Sequence, residues 1–127
     1  MMNIEFISTK KAPQAVGPYS QGVKANNIIF TSGQLPIVPE TGELVKDDIR
    51  KATKQSLDNV LAVVEAGGGD LKSIVKVNIY VKNMDDFGAV NEEYDKFFNN
   101  HKPARSCVEV SRLPKDGIIE IEAIAVL

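Results

Sequence analysis

Hydrophobic and polar positions along this chain fall into alternating runs, helical stripes and clear breaks, which together set out eight elements. Residues 3–8 alternate weakly, as a short strand does. The stretch 10–20, KKAPQAVGPYS, carries two prolines and a glycine and reads as irregular. Residues 21–25 and 28–31 are short strand candidates joined at Asn26-Asn27, which tolerate left-handed backbone, so a hairpin is expected. Ser32-Gly33 closes the second of these strands, and residues 35–43 form a loop punctuated by proline and glycine.

From Asp48 onward the apolar positions Ile49, Ala52, Leu57, Val60, Leu61 and Val64 follow a helical stripe that Ser56 interrupts. Asp47 and Asp48 stand where acids favour a helix N-terminus, and Gly67-Gly68-Gly69 supplies a left-handed stop. Residues 74–81 read as a strand with Val75, Val77, Ile79 and Val81 on one face. Asn83 or Asp85 can cap a second helix whose stripe is Phe87, Val90, Tyr94 and Phe97 or Phe98. Residues 99–103, NNHKP, break that helix. The last quarter then gives two strands, with Arg105, Ser106 and Cys107 embedded in one and Glu120 and Glu122 in the other.

The expected order is β-β-β-α-β-α-β-β. Strand–helix–strand–helix–strand implies parallel pairing through right-handed crossovers, with both helices on one face. Two helices cannot cover both faces of six strands. An apolar second face therefore points to a homo-oligomer. Taken alone, the short loop near 113–117 suggests that the two terminal strands pair as an antiparallel hairpin.

Length and composition narrow the function classes. A chain of 127 residues with 43% hydrophobic and 25% charged residues fits one globular domain, residues 1–127. A net charge of −2 offers no basic footprint for nucleic acid. One cysteine leaves no intrachain disulfide and no multi-cysteine metal site, and one histidine leaves no histidine pair. No secretory leader pattern or membrane-length apolar run occurs, so a cytoplasmic, soluble protein is expected. No phosphate-binding glycine motif follows a strand and no GxSxG elbow is present; chemistry without a metal or organic cofactor is expected.

The embedded polar residues are the candidates for chemistry, because isolated buried charge is costly unless paired or facing a ligand. Arg105 can grip a carboxylate through two parallel hydrogen bonds, or form a structural ion pair with Glu120, Glu122 or a partner subunit. Cys107 as a nucleophile would need a base, and His101 lies in a polar, helix-ending segment; a buried thiol and a solvated imidazole are the alternatives. Glu120 could orient or deprotonate a water, and Glu122 shares its strand face by the period of two, so the pattern leaves both open. Tyr19, Ser20, Ser32 and Gly33 lie in loops or at a strand end where amides and hydroxyls can bind a small polar ligand, although turn chemistry also accounts for them. Asn91 faces neither wholly with nor against the apolar stripe of its helix, so a polar surface residue or a local hydrogen bond accounts for it.

Five stretches carry a resemblance: GPYSQ at 17–21, TSGQLP at 31–36, AVNEEYDKFF at 89–98, PARSCVEVSRLP at 103–114 and IEIEAIAV at 119–126. In this order, over nearly the whole length, they resemble the Rid family, the reactive-intermediate imine deaminases. The resemblance implies an α+β, Bacillus chorismate-mutase-like fold with a six-stranded mixed sheet, assembled as a homotrimer with sites in the clefts between subunits. It places the last strand antiparallel between the third and fourth strands, against the hairpin reading. It implies hydrolysis of 2-imino acids such as 2-iminopropanoate and 2-iminobutanoate to 2-oxo acids and ammonia.

By the same resemblance Arg105 holds the substrate carboxylate, Glu120 positions and activates water, and the main chain at Cys107 contacts the imine. Tyr19, Ser32, Gly33 and Asn91 complete the cleft. Glu109 and Ser111 depart from the smaller or apolar residues of many relatives, which bears on side-chain preference. The competing readings are a regulatory trimer that binds a small carboxylate without turnover, and RNA cleavage. The acidic balance and the lack of an aromatic-basic stripe oppose the latter.

Overall fold

The computed structural model describes residues 3–127. Six strands and two α-helices follow in the expected order: β1 (Ile4–Ile7), β2 (Gly22–Ala25), β3 (Ile28–Thr31), α1 (Ile49–Ala66), β4 (Ile74–Val81), α2 (Phe87–Phe98), β5 (Ala104–Glu109) and β6 (Ile119–Val126). The β2–β3 hairpin turns at Asn26, whose φ of 55° is the left-handed conformation that asparagine tolerates.

The strands form one sheet in the order β1-β2-β3-β6-β4-β5. β6 runs antiparallel to both β3 and β4, and only β4 and β5 are parallel neighbours. The hairpin suggested by the short terminal loop does not form, because β4 separates β5 from β6. Between them, the 3₁₀ turn Pro114–Asp116 holds Lys115 and Asp116 at φ near 58° and 56°. Packing accounts for the placement: every second residue of β6, Ile119, Ile121, Ala123 and Ala125, is buried. The outward half of β5 is exposed, as suits an edge strand.

α1 and α2 pack on each other and cover one face of the sheet, enclosing Ile29, Val77, Ile79, Val81, Leu57, Val63 and Val90. α1 starts at Asp48, which accepts hydrogen bonds from the amides of Arg50 and Lys51, and ends at Gly67, after which Gly68 takes φ +101°. Its buried surface is wider than the apolar stripe. Thr53, Ser56 and Asn59 are buried with it, whereas Leu61 is only half-buried. Asn59 donates to the carbonyls of Leu35 and Ile37 and so ties the loop after β3 to the helix.

Two further details depart from the periodicities. Val75 is exposed, because an irregularity between Ile74 and Lys76 shifts the β4 register and buries Ile74 instead. Neither Asn83 nor Asp85 caps α2: Asn83 caps the 3₁₀ turn Met84–Asp86 ahead of it by accepting from the Asp85 amide, and Asp86, at the N-cap of α2, makes no side-chain cap bond.

The sheet face away from the helices is open. Phe6, Val23, Phe30 and Ile124 are cross-strand neighbours on it, and Phe6 is 78% exposed. Together with Ile4, Ile28 and Val126 they form an apolar patch with no helix over it. Further along, the same face turns polar with Asn78, Tyr80, Glu120 and Glu122.

Candidate active site

The candidate residues fall into two groups, and the sheet keeps them apart. The first group lies at the β5 edge beside α2. Arg105 pairs with Val77 in the parallel register, so its side chain leaves the sheet on the helix face. There its guanidinium donates to Oδ1 of Asn91 at 2.5 Å and lies over the rings of Tyr94 and Phe87, at 4.9 and 5.4 Å from their centroids. The contacts hold the planar group in place. Asn91 thus stands beside Arg105, although it is exposed. Burial pushes the Tyr94 hydroxyl up to about 12, with the Arg105 charge opposing.

Cys107 is half-buried one pleat along from Arg105. Burial pushes its thiol up from the ordinary value, with Arg105 partly opposing, so the thiolate is disfavoured. His101 is bonded to the Ile74 carbonyl at 2.6 Å, whereas Cys107 stands beside Ile79. That separation along β4 is roughly 16 Å, so no Cys–His dyad forms within one protomer. The main chain of Cys107 is another matter. The Val110 amide donates to the Val81 carbonyl. By strand alternation, the amide and carbonyl of Cys107 then point away from β4, along the unpaired edge of the sheet.

The second group lies on the open face, in a cleft of about 490 Å³ lined by Tyr19, Ser32, Gly33, Leu35, Lys115 and Glu120, among others. Glu120 pairs with Tyr80 across β4 and faces away from the helices. Its carboxyl lies directly on Gly33: a Cβ there would come within 2.7 Å of it, so any larger residue would displace the carboxyl. Ser32 donates its hydroxyl to the Ser20 carbonyl at 2.5 Å, and its amide donates to the Gln21 carbonyl. These bonds draw the Tyr19–Ser20 loop against the end of β3. Burial, and then the charge of Glu122, push the Glu120 carboxyl above the usual carboxylate range.

Tyr19, Ser32, Gly33 and Glu120 therefore come together, as do Arg105, Cys107 and Asn91. The two groups do not meet within one protomer, since they stand on opposite faces with β4 between β5 and β6. The ion pair considered between Arg105 and Glu120 or Glu122 is absent among the described residues. No cluster of three or more His, Cys, Asp or Glu side chains suited to a metal ion occurs among them.

Several contributors were missed in the sequence. Gln21 is buried and pins the irregular 9–13 segment, accepting from the Thr9 amide and donating to the carbonyls of Thr9, Ala12 and Pro13. Asn78 and Tyr80 both donate to Oε2 of Glu122 at 3.1 Å. A signal for the latter pair existed: both occupy the off-phase positions of β4, between the buried Val77, Ile79 and Val81.

A mixed sheet closed by a central C-terminal strand, with an arginine at one edge and a half-buried carboxylate on the open face, defines the α+β class of this domain. The comparisons narrow this class. A family model described as Endoribonuclease L-PSP matches residues 9–127, and the chain belongs to this family, also called Rid. The chain is 56% identical over 123 residues to the 2-iminobutanoate/2-iminopropanoate deaminase of Escherichia coli strain K12, covering 94% of this chain and 95% of that protein. Among solved structures, Escherichia coli TdcF with bound serine superposes with a TM-score of 0.93 at 46% identity, covering 97% and 98% of the two chains. The Escherichia coli YjgF gene product superposes with a TM-score of 0.93 at 54% identity, covering 96% and 98%.

Proposed function

We propose that this protein hydrolyses small 2-imino acids, among them 2-iminopropanoate and 2-iminobutanoate, to 2-oxo acids and ammonia. The observation that carries the reading is the pair of complementary half-sites within a chain 56% identical to a deaminase of that name. One offers a fixed guanidinium beside free main-chain groups, and the other a half-buried carboxyl with raised proton affinity. The serine bound in a relative is also a small molecule with a carboxylate and an amine on one carbon.

In this reading each active site forms between two copies of the chain, in a homotrimer. One protomer contributes Arg105, Asn91 and the main chain of Cys107; its neighbour contributes Tyr19, Ser32, Gly33 and Glu120. The trimer also covers the apolar part of the open sheet face, which a lone chain leaves in water.

Arg105 binds the substrate carboxylate and sets the imine carbon toward Glu120. The Glu120 carboxylate takes a proton from water as the water oxygen adds to the imine carbon. It then returns that proton to nitrogen. The carbon–nitrogen bond of the carbinolamine breaks, its hydroxyl gives up a proton, and the 2-oxo acid and ammonia leave. Anchoring and orienting the reactants supplies a large share of the barrier reduction, because a protonated imine is already electrophilic. The Cys107 thiol takes no part as a nucleophile.

The test generates 2-iminobutanoate in place from threonine with a dehydratase and semicarbazide as trap. The parent protein should suppress the semicarbazone signal and speed 2-oxobutanoate release. Arg105→Ala should lose about 1.5–3 kcal/mol of transition-state binding, roughly 10- to 150-fold in kcat/KM. An Arg105→Ala protein as fast as the parent would remove Arg105 from the mechanism. RNA breakdown that survives repurification and persists in Arg105→Ala would instead point to the nuclease activity in the family's description.

A further inference from the structure

We infer that Glu122, held by Tyr80 and Asn78, is a positioning residue whose fixed carboxylate governs where Glu120 carries its proton during turnover. This inference rests on the role proposed above for Glu120.

The geometry is asymmetric. Glu120 and Glu122 are two residues apart on β6 and project from the same face, which brings two carboxyl groups of like charge close together. Glu122 is tied down: its Oε2 accepts from the Tyr80 hydroxyl and from Nδ2 of Asn78, both at 3.1 Å. Those donors come from the adjacent strand, where Asn78 is the direct cross-strand partner of Glu122 and Tyr80 that of Glu120. Tyr80 thus stands opposite Glu120 but gives its hydrogen bond to Glu122. Burial and the two carboxylates push the Tyr80 hydroxyl up, which keeps it a donor.

Among the described residues no group donates to Glu120. Both donors on this part of the face go to Glu122, and Glu120 is left with none. Burial and Glu122 both raise the proton affinity of Glu120. The other groups facing Glu120 are few: Tyr19 from the loop before β2 and Lys115 from the turn before β6 line the same cleft. The end of β3 brings only the uncharged Ser32, Gly33 and Gln34. Glu122 is therefore the one fixed anion on the strand that carries the reacting carboxyl. Deamination needs a carboxyl that accepts a proton from water and then yields it to nitrogen, and a group raised toward neutrality does both.

Glu122→Gln keeps the shape and an acceptor for both donors while removing the charge. Two readouts separate this inference from the reading beneath it. In the folded protein, carbon-13 carboxyl NMR follows the titration of Glu120 directly, without turnover. In the imine assay, the acid limb of the kcat/KM profile reports the same group at work. The expected result is a shift of both to lower pH in Glu122→Gln, a smaller shift in the same direction in Tyr80→Phe, and recovery toward the parent profile in Glu122→Asp. An unmoved Glu120 titration in Glu122→Gln, in a protein of unchanged circular dichroism and mass, would overturn the inference. A Glu120→Gln protein that still turns over would overturn the water-activating role instead, whatever the NMR titration shows.

Discussion

Gly33 and Glu120 share one small volume, and this gives the most direct test at the level of single residues. Gly33→Ala places a methyl group 2.7 Å from the Glu120 carboxyl. The free end of the glutamate can swing aside, so the unfolding midpoint should change little. A displaced carboxyl, however, is costly to a positioned reaction. The expected loss in kcat is roughly 10²-fold in the semicarbazide assay, with circular dichroism unaltered.

Glu120 also sets a pH dependence of stability. Its folded proton affinity lies above the ordinary value, so its contribution is fully present at low pH and is lost as pH rises through the window between the unfolded and folded values. Glu120→Gln should therefore raise the denaturation midpoint near pH 7, and this gain should vanish below about pH 4, where the carboxyl is protonated in both states. Denaturant titrations at fixed protein concentration measure it. In the sequence, the shared face of Glu120 and Glu122 was legible, because the period of a strand is strict. That Tyr80 and Asn78 serve Glu122 was not, because it depends on which strand lies alongside.

Among the elements, α1 shows where patterning succeeds and where it stops. Its span and both ends follow from Asp48, the apolar stripe and the glycine run. The polar residue that interrupts the stripe remains in the core: Ser56 is fully buried, and its hydroxyl has no hydrogen-bond partner among the described residues. Ser56→Ala removes that unmatched group and raises helix propensity, so it should stabilise the protein by about 0.5–2 kcal/mol in denaturant titration.

All eight elements were legible because each has its own local period. Strand order was not legible from local pattern. A short loop favours a hairpin between β5 and β6, yet β6 pairs along both its edges, with β3 and β4, and alternate burial marks a covered face without naming the neighbours. Resemblance supplied that placement, and periodicity could not. Val75 shows the same limit on a smaller scale, since a bulge shifts the face on which a residue lands without leaving a mark in the composition.

For the whole molecule, the open sheet face decides the outcome. A row of Phe6, Val23, Phe30 and Ile124 in water is unfavourable for a single chain, and the two half-sites stand back to back across the sheet. Both features are met by the proposed trimer. Phe30→Glu should convert a particle of three chains into smaller species in light scattering. It should also abolish imine hydrolysis although no residue of either half-site has been touched. That two helices leave one face of six strands uncovered was legible in the sequence. That the two groups of candidate residues lie on opposite faces was not, because it follows from strand order.

The central position of β6 also governs how the sheet can come into being. β1, β2 and β3 join β4 and β5 only through it, and pairs such as Ile28 with Val126 connect residues almost the whole chain apart. Before β6 docks, the rest of the sheet is two fragments, each presenting a bare edge. Closing so large a loop comes late and slowly, on the millisecond-to-second scale of folds rich in distant contacts. Through that interval both edges can capture strands from other molecules, so the step that completes the sheet is also the one at which aggregation competes with folding.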